Sequence, residues 1–274
     1  GRAELPMPEN VTEKNMRQIR AASKLIRRKQ RQYETQNLQF AEMREETGLK
    51  EYLDRTTFIN KDGEVCEFTD LQKHDLNLVL QKRYALLNWQ QGSGKTAAVY
   101  HRAKYLLKFR KAKNVIILAP AIATNMTWIP FLTINKERFR TIQTAGDLNN
   151  IPEGTFLVVS TSMLRKLKRG LMRFVKRTSG KLCLVFDESD EITNPTSQRT
   201  RNILCIFRRL RYKILDTGTT TRNNIAELYS QFELLYNNSV NMICWSPQVY
   251  HENRDHEIEE ENNPDYGTPF PAFR

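Results

Sequence analysis

The sequence predicts a parallel, doubly wound α/β sheet that carries a phosphate loop, and three observations predict it. Four near-continuous apolar runs, NVIILAP, TFLVVST, KLCLVFDE and YKILDTG, read as strands covered on both faces. Helical segments separate most of them, which is the alternation of a parallel sheet. A further short apolar strand, Tyr84–Leu87, runs into GSGKT, and a helix is expected from there through about Lys108.

The remaining elements follow in chain order. Val11 to Asp54 is rich in Glu, Lys, Arg, Gln and Ala, with one Gly and no Pro, a composition that favours helix. Ile19, Ile26, Tyr33 and Phe40 recur every seven residues there, but Lys29 and Gln36 interrupt the seam, so no coiled coil is predicted. Residues 1–57 are read as a helical extension. NKDGE at 60–64 is a turn signal between that extension and the core. The spacing of Leu71, Leu76, Val79 and Leu80 predicts a helix over 70–81 with those four on one side. Residues 58–246 suffice for one α/β domain. Residues 247–274, with Pro264, Pro269 and Pro271, are read as an acidic, irregular tail.

Bulk properties bound the function. No run approaches the ~18 apolar residues of a membrane span, and GRAELPMPEN lacks the order of a secretory signal. Cys66, Cys183, Cys205 and Cys244 are scattered without a C-x-x-C pair, so reduced and mostly buried thiols in an intracellular protein are expected, not a zinc site. The net charge is +12, and residues 247–274 hold two basic and seven acidic residues, so the body is more basic than the whole. A basic body points to a polyanion, most simply nucleic acid; a generally basic solvated surface is the alternative.

The chemistry lies in two motifs. Gly92 and Gly94 free the backbone so that N–H groups around Ser93 can face phosphate oxygens. Lys95 is placed for the β/γ-phosphates of ATP, the Thr96 hydroxyl for Mg²⁺, and the following helix adds its positive end. The first position of the full phosphate-loop pattern, usually glycine, is Trp89. In CLVFDESDE an apolar strand ends in Asp187, placed to hold Mg²⁺, and then Glu188, placed to activate the attacking water.

With both motifs in place the chain resembles superfamily 2 helicases and translocases, most closely the Swi/Snf-type (DEAD/DEAH-like) ATPases. DESDEITNPTSQRTR, residues 187–201, matches the family's metal motif through Asn194-Pro195 and Arg199/Arg201. ILDTGTTTRNNIAELYSQFELL, residues 214–235, matches its third motif without a gap. Two further stretches resemble the Ia and Ib motifs: VIILAPAIATNMTW, whose Trp128 falls one residue later than usual, and VVSTSMLRKL. The family tolerates residues other than Gly at the position of Trp89. Asp190 stands where DEAH has His, and Asp216 and Thr220 stand for Leu and Pro around Thr217-Gly218-Thr219.

The resemblance implies a RecA-like first lobe using ATP and Mg²⁺, with Gln72 contacting adenine. Asp190, Thr217, Gly218 and Thr219 would couple the ATP site to movement. Pro120, Ser160, Thr161, Arg165 and Lys166 would approach nucleic acid, duplex DNA in preference to RNA. It implies a C-terminal RecA-like lobe of the same parent chain, for which the residues after the third motif leave too little length. Two basic amphipathic stretches, residues 163–181 and 199–213, are expected to add phosphate contacts. A catalytically weak binding module of the same fold is the competing reading, and a P-loop kinase or GTPase leaves DTGTTTRNNIAELY unexplained.

Overall fold

The computed structural model describes residues 16–17, 19–20, 23–24, 27, 43–178, 181–219, 225–236, 248–252 and 258–262. The chain divides into two units, Arg44–Asn237 and a second made of Gly1–Met43 with Asn238–Arg274.

In the larger unit six strands form one all-parallel sheet in the order β3-β8-β7-β4-β6-β5. They are β3 (Tyr84–Leu87), β4 (Asn114–Ala119), β5 (Phe139–Thr141), β6 (Phe156–Ser160), β7 (Leu182–Phe186) and β8 (Tyr212–Asp216). All residues of β4, β7 and β8 are buried, as continuous apolar runs covered on both faces require. Two apolar clusters pack the two faces. One joins Leu76, Leu80 and the Lys95–Lys108 helix to Val115, Ile117 and Val185. The other joins the Leu164–Arg177 and Gln198–Phe207 helices to Ile116, Leu184 and Leu215.

The Asp70–Gln81 helix starts on a capping box, in which Thr69 and Gln72 satisfy each other's backbone N–H groups. It buries Leu76 and Leu80, but Leu71 is 73% exposed, a correction to the expected face. Leu71 sits in the first turn, whereas Leu76 and Leu80 further along belong to the core, and the helix packs on the Thr47–Asp54 and Lys95–Lys108 helices. NKDGE closes an antiparallel hairpin, β1 (Thr57–Ile59) with β2 (Val65–Glu67), and Asn60 accepts from the N–H groups of Asp62 and Glu64. The Thr47–Asp54 helix packs within this unit on the Asp70–Gln81 helix, burying Leu49 and Leu53.

Ala121–Ala123 and Ile129–Ile134 are α-helical and a π-helical turn, Thr124–Trp128, joins them, closed by the Ile129 N–H on the Thr124 carbonyl. A π turn holds one residue more than an α turn. It absorbs the one-residue offset of Trp128 and turns that indole into the core.

In the smaller unit, β9 (Gln248–Glu252) pairs antiparallel with β10 (Ile258–Asn262), so the tail is not wholly irregular. Glu is depleted in strands, and IEEEN therefore does not read as one, yet the backbone ladder tolerates it. The heptad positions Ile26, Tyr33 and Phe40 lie outside the described residues. Among the three described cysteines only Cys183 is buried, and Cys205 is exposed, so the thiols are not mostly buried as expected. No described helix is long and apolar enough to cross a membrane.

Candidate functional site

The phosphate loop, Asp187, Glu188, Asp216 and Thr217 sit at or just beyond the C-terminal ends of the sheet strands, where open parallel sheets bind their ligands. β3 delivers the phosphate loop, β7 delivers Asp187 and Glu188, and β8 delivers Asp216 and Thr217. β4 ends before Pro120, and β6 ends at Ser160.

The loop has the backbone a phosphate cradle needs. Gly92 (φ 81°) and Gly94 (φ 82°) are both left-handed, and Gly94 caps a 14-residue helix. Both glycines are exposed, and a Cβ at Gly92 would meet nothing within 4 Å. That is open space for a phosphate group. The Lys95 ammonium donates to the carbonyls of Trp89 and Gln90, both at 3.2 Å. Trp89 has its own task. Its indole donates to Asp75 at 2.8 Å and packs against the core, pinning the loop to the Asp70–Gln81 helix. Gln72 pins it again by donating to the Ser93 carbonyl at 2.8 Å, while its side-chain oxygen accepts from the Thr69 N–H. Thr96 is half-buried at the first turn of the helix.

Asp187 is buried and accepts from the indole N–H of the fully buried Trp128 at 2.7 Å. The N–H of Asp187 continues the ladder onto Leu118. Glu188 follows in the left-handed region (φ 56°, ψ 52°) without being glycine. Such strain costs about 1–3 kcal/mol and collects at functional positions. Partial burial, then the Asp187 and Asp190 charges, raise the Glu188 carboxyl above its ordinary range. Each makes a negative charge there less favourable.

Asp190 and the third motif are joined. The Thr217 hydroxyl lies 3.1 Å from Asp190 Oδ1 and 2.9 Å from the Thr219 carbonyl. One hydroxyl has one proton, so it serves one of the two at a time. Gly218 runs close to Lys95: a Cβ there would lie 3.5 Å from Nζ. Thr220 lies outside the described residues.

Asp216, the departure from Leu, is fully buried. Its polar neighbours are the Asp187 carboxyl, the Glu188 N–H and the Lys95 ammonium. The Glu188 N–H and the Asp187 carboxyl approach the Asp216 oxygens, but neither completes a well-formed hydrogen bond to them. Burial first, then the facing Asp187 charge, hold the Asp216 carboxyl well above the usual carboxylate range.

The residues expected to face nucleic acid gather where β4 and β6 end, with Ala119 paired to Ser160, but differ in exposure. Pro120 and Ser160 are half-buried, and Arg165 and Lys166 are exposed. Thr161 is 5% exposed. The accessible hydroxyl beside Ser160 is Ser162, at 2.8 Å from it, and the sequence reading passed over it. Also missed was Gln231, which accepts from the buried Ser189 hydroxyl at 2.8 Å and ties the metal-motif loop to the Tyr229–Tyr236 helix. Asn194, Ser197 and Arg199 are local: an Asx turn onto Thr196, a helix cap, and an ion pair with Glu191.

This fold and this strand-end constellation resemble the N-terminal RecA-like lobe of superfamily 2, Swi/Snf-like ATPases. The chain belongs to the family described as the type III restriction enzyme, res subunit, which matches residues 17–222. It is 27% identical over 175 residues to the ATP-dependent helicase FUN30 of Saccharomyces cerevisiae, covering 60% of this chain and 15% of that protein. Its fold is similar to the Sulfolobus solfataricus SWI2/SNF2 ATPase core in complex with dsDNA. That match has TM-score 0.53 and 18% identity, and covers 62% of this chain and 36% of the other.

Proposed function

We propose that this chain is the ATP-binding first lobe of a nucleic-acid motor that couples ATP hydrolysis to movement along duplex DNA. The carrying observation is convergence: Lys95 and Asp187 each lie near both the Glu188 and the Asp216 carboxyl at the ends of β3, β7 and β8. The dsDNA in the Sulfolobus relative supports the choice of substrate, and the basic surface is in keeping with it.

The residues fit ATP and Mg²⁺, because the glycine cradle is open and a cation stands beside two carboxylates. Backbone N–H groups of Gly92, Ser93 and Gly94 would hold phosphate oxygens. Lys95 would exchange its carbonyl partners for phosphate, a charge-assisted and stronger bond. Thr96 and Asp187 would hold the metal, and Trp128 would fix which Asp187 oxygen is presented. Bound MgATP supplies the transferable phosphoryl group and the metal's positive charge. Glu188 would orient the attacking water and accept its proton, for which a raised proton affinity suits it. Gln72 would position the loop as well as the base. The Asp190–Thr217 bond would relay the state of the site to the third motif.

A second lobe would complete the site with cationic groups worth roughly 10³–10⁵ in rate in related phosphoryl transfer. Residues 1–274 alone are therefore expected to bind nucleotide and to hydrolyse it very slowly. The buried Asp216 carboxyl, an extra negative group behind Asp187, favours the second reading, a catalytically weak binding module.

The test is titration of a fluorescent ATP analogue with Mg²⁺ onto the chain and its Lys95→Ala variant. Loss of a charge-assisted bond of about 1.5–3 kcal/mol predicts roughly 10- to 100-fold weaker binding. Equal affinities would overturn the assignment of the phosphate site.

A further inference from the structure

We propose that the Leu164–Arg177 and Gln198–Phe207 helices together form one basic face that grips the phosphate backbone of a nucleic-acid duplex. This extends well beyond the strand-end edge of Ser160, Arg165 and Lys166. It rests on the nucleic-acid reading above, joins the two basic stretches into one surface and narrows their contacts to four residues on it.

Leu164–Arg177 contains seven Lys/Arg and no acid, and 198–213 contains six and no acid. The helices lie side by side on the same face of the sheet. Leu167, Leu171, Phe174, Ile203, Ile206 and Phe207 all enter one apolar cluster. Where the outer surfaces meet, Cys205 Sγ lies 4.0 Å from Met172 Sδ, and Met172 is 40% exposed. Helical spacing fixes what surrounds this contact. Arg169 is three residues before Met172 and Lys176 four after it. Arg201 is four residues before Cys205, and Arg209 four after, just beyond the helix end. All four are exposed, and none forms an ion pair among the described residues. Three other cations are committed. Arg199 pairs with Glu191, Arg208 with Glu233, and the buried Lys213 donates to the carbonyls of Arg208 and Leu234.

An acid-free face costs stability through repulsion, whereas a merely solvated one gains from interspersed acids. A diffuse polyanion removes that cost. Arg169 to Lys176 spans about 10 Å of helix at 1.5 Å per residue, over which a DNA duplex presents roughly six phosphates. A protein partner is less suited, because specific protein interfaces need buried aromatic or other apolar anchors. Here only Met172 and Cys205 stand between the cations.

The test is anisotropy of a labelled 20-base-pair duplex on the full chain across a salt series. The variants are the fourfold Arg169→Gln, Lys176→Gln, Arg201→Gln, Arg209→Gln and a fourfold control with Lys176→Arg and each Arg→Lys. Four lost phosphate contacts predict a salt slope shallower by roughly 3–4 in the Gln variant. The charge-keeping control should hold the wild-type slope, and both should keep nucleotide affinity and thermal unfolding unchanged. A wild-type slope in the Gln variant overturns this inference and leaves the nucleic-acid reading standing. No duplex binding by the wild-type chain at low salt overturns both. Displacement of the duplex by polyglutamate at equal charge concentration would assign the face to an acidic protein and overturn the proposal.

Discussion

Asp216→Leu is expected to stabilise the folded chain by about 1–3 kcal/mol at pH 8, the cost of a buried polar group without partners. Asp216 is fully buried, the Glu188 N–H approaches its oxygens without a well-formed hydrogen bond, and it faces Asp187. The raised proton affinity gives the effect a pH signature. An unfolded Asp releases its proton near pH ~3.9, whereas the folded carboxyl holds it to higher pH. Folding therefore takes up a proton in the window above the unfolded value. Its stability contribution is present below that value and is lost as pH rises through the folded one. Leu has no proton to lose, so the gap between variant and wild type should widen from pH 4 to pH 8. Urea unfolding at both pH values, without nucleotide, reads it. Parallel curves would mean that Asp216 carries its charge at no cost. Asp216→Asn removes the charge alone and should show the same pH trend with a smaller gain.

Trp128→Phe carries the second large effect. The indole N–H is a buried 2.7 Å donor to the carboxylate that would hold the metal. Groups that orient a metal ligand typically govern 10- to 100-fold in metal affinity. The Mg²⁺ concentration at half-maximal nucleotide binding should rise by about tenfold or more. A purely structural Trp128 would lower the unfolding temperature and leave the Mg²⁺ midpoint where it was, which would refute the role. Asp187→Asn should reproduce the metal effect with the indole still in place.

Both variants touch contacts that the sequence conceals, and the contrast with what it reveals is physical. Asn114–Ala119, Phe156–Ser160 and Leu182–Phe186 were legible because strands buried on both faces need continuous apolar runs. Gly92 and Gly94 were legible because left-handed backbone selects glycine. Trp128 was visible only as an offset. Its partner lies 59 residues away, and the π turn that aims it there is a backbone choice without a composition signature. Ser189 and Gln231 are likewise joined across 42 residues. β5, a three-residue edge strand with Arg140 at its centre, is too short and polar to show a period. Leu71 went astray because local spacing orders residues around an axis but does not say which of them a neighbouring element covers.

Trp89 shows how such a departure resolves. The place of the usual glycine is taken by a side chain that anchors the loop to Asp75, while the glycines that face outward remain. The loop is thus held from outside by Trp89 and Gln72, and its interior is left to Lys95.

The central claim is an ATP site that serves movement on DNA. Its most direct test is ATP hydrolysis with and without duplex DNA, by the protein carrying both RecA-like lobes, in wild-type and Lys95→Ala forms. DNA-stimulated turnover that Lys95→Ala abolishes is expected, with only slow hydrolysis by residues 1–274 alone. Hydrolysis that ignores DNA, or survives loss of Lys95, would contradict it.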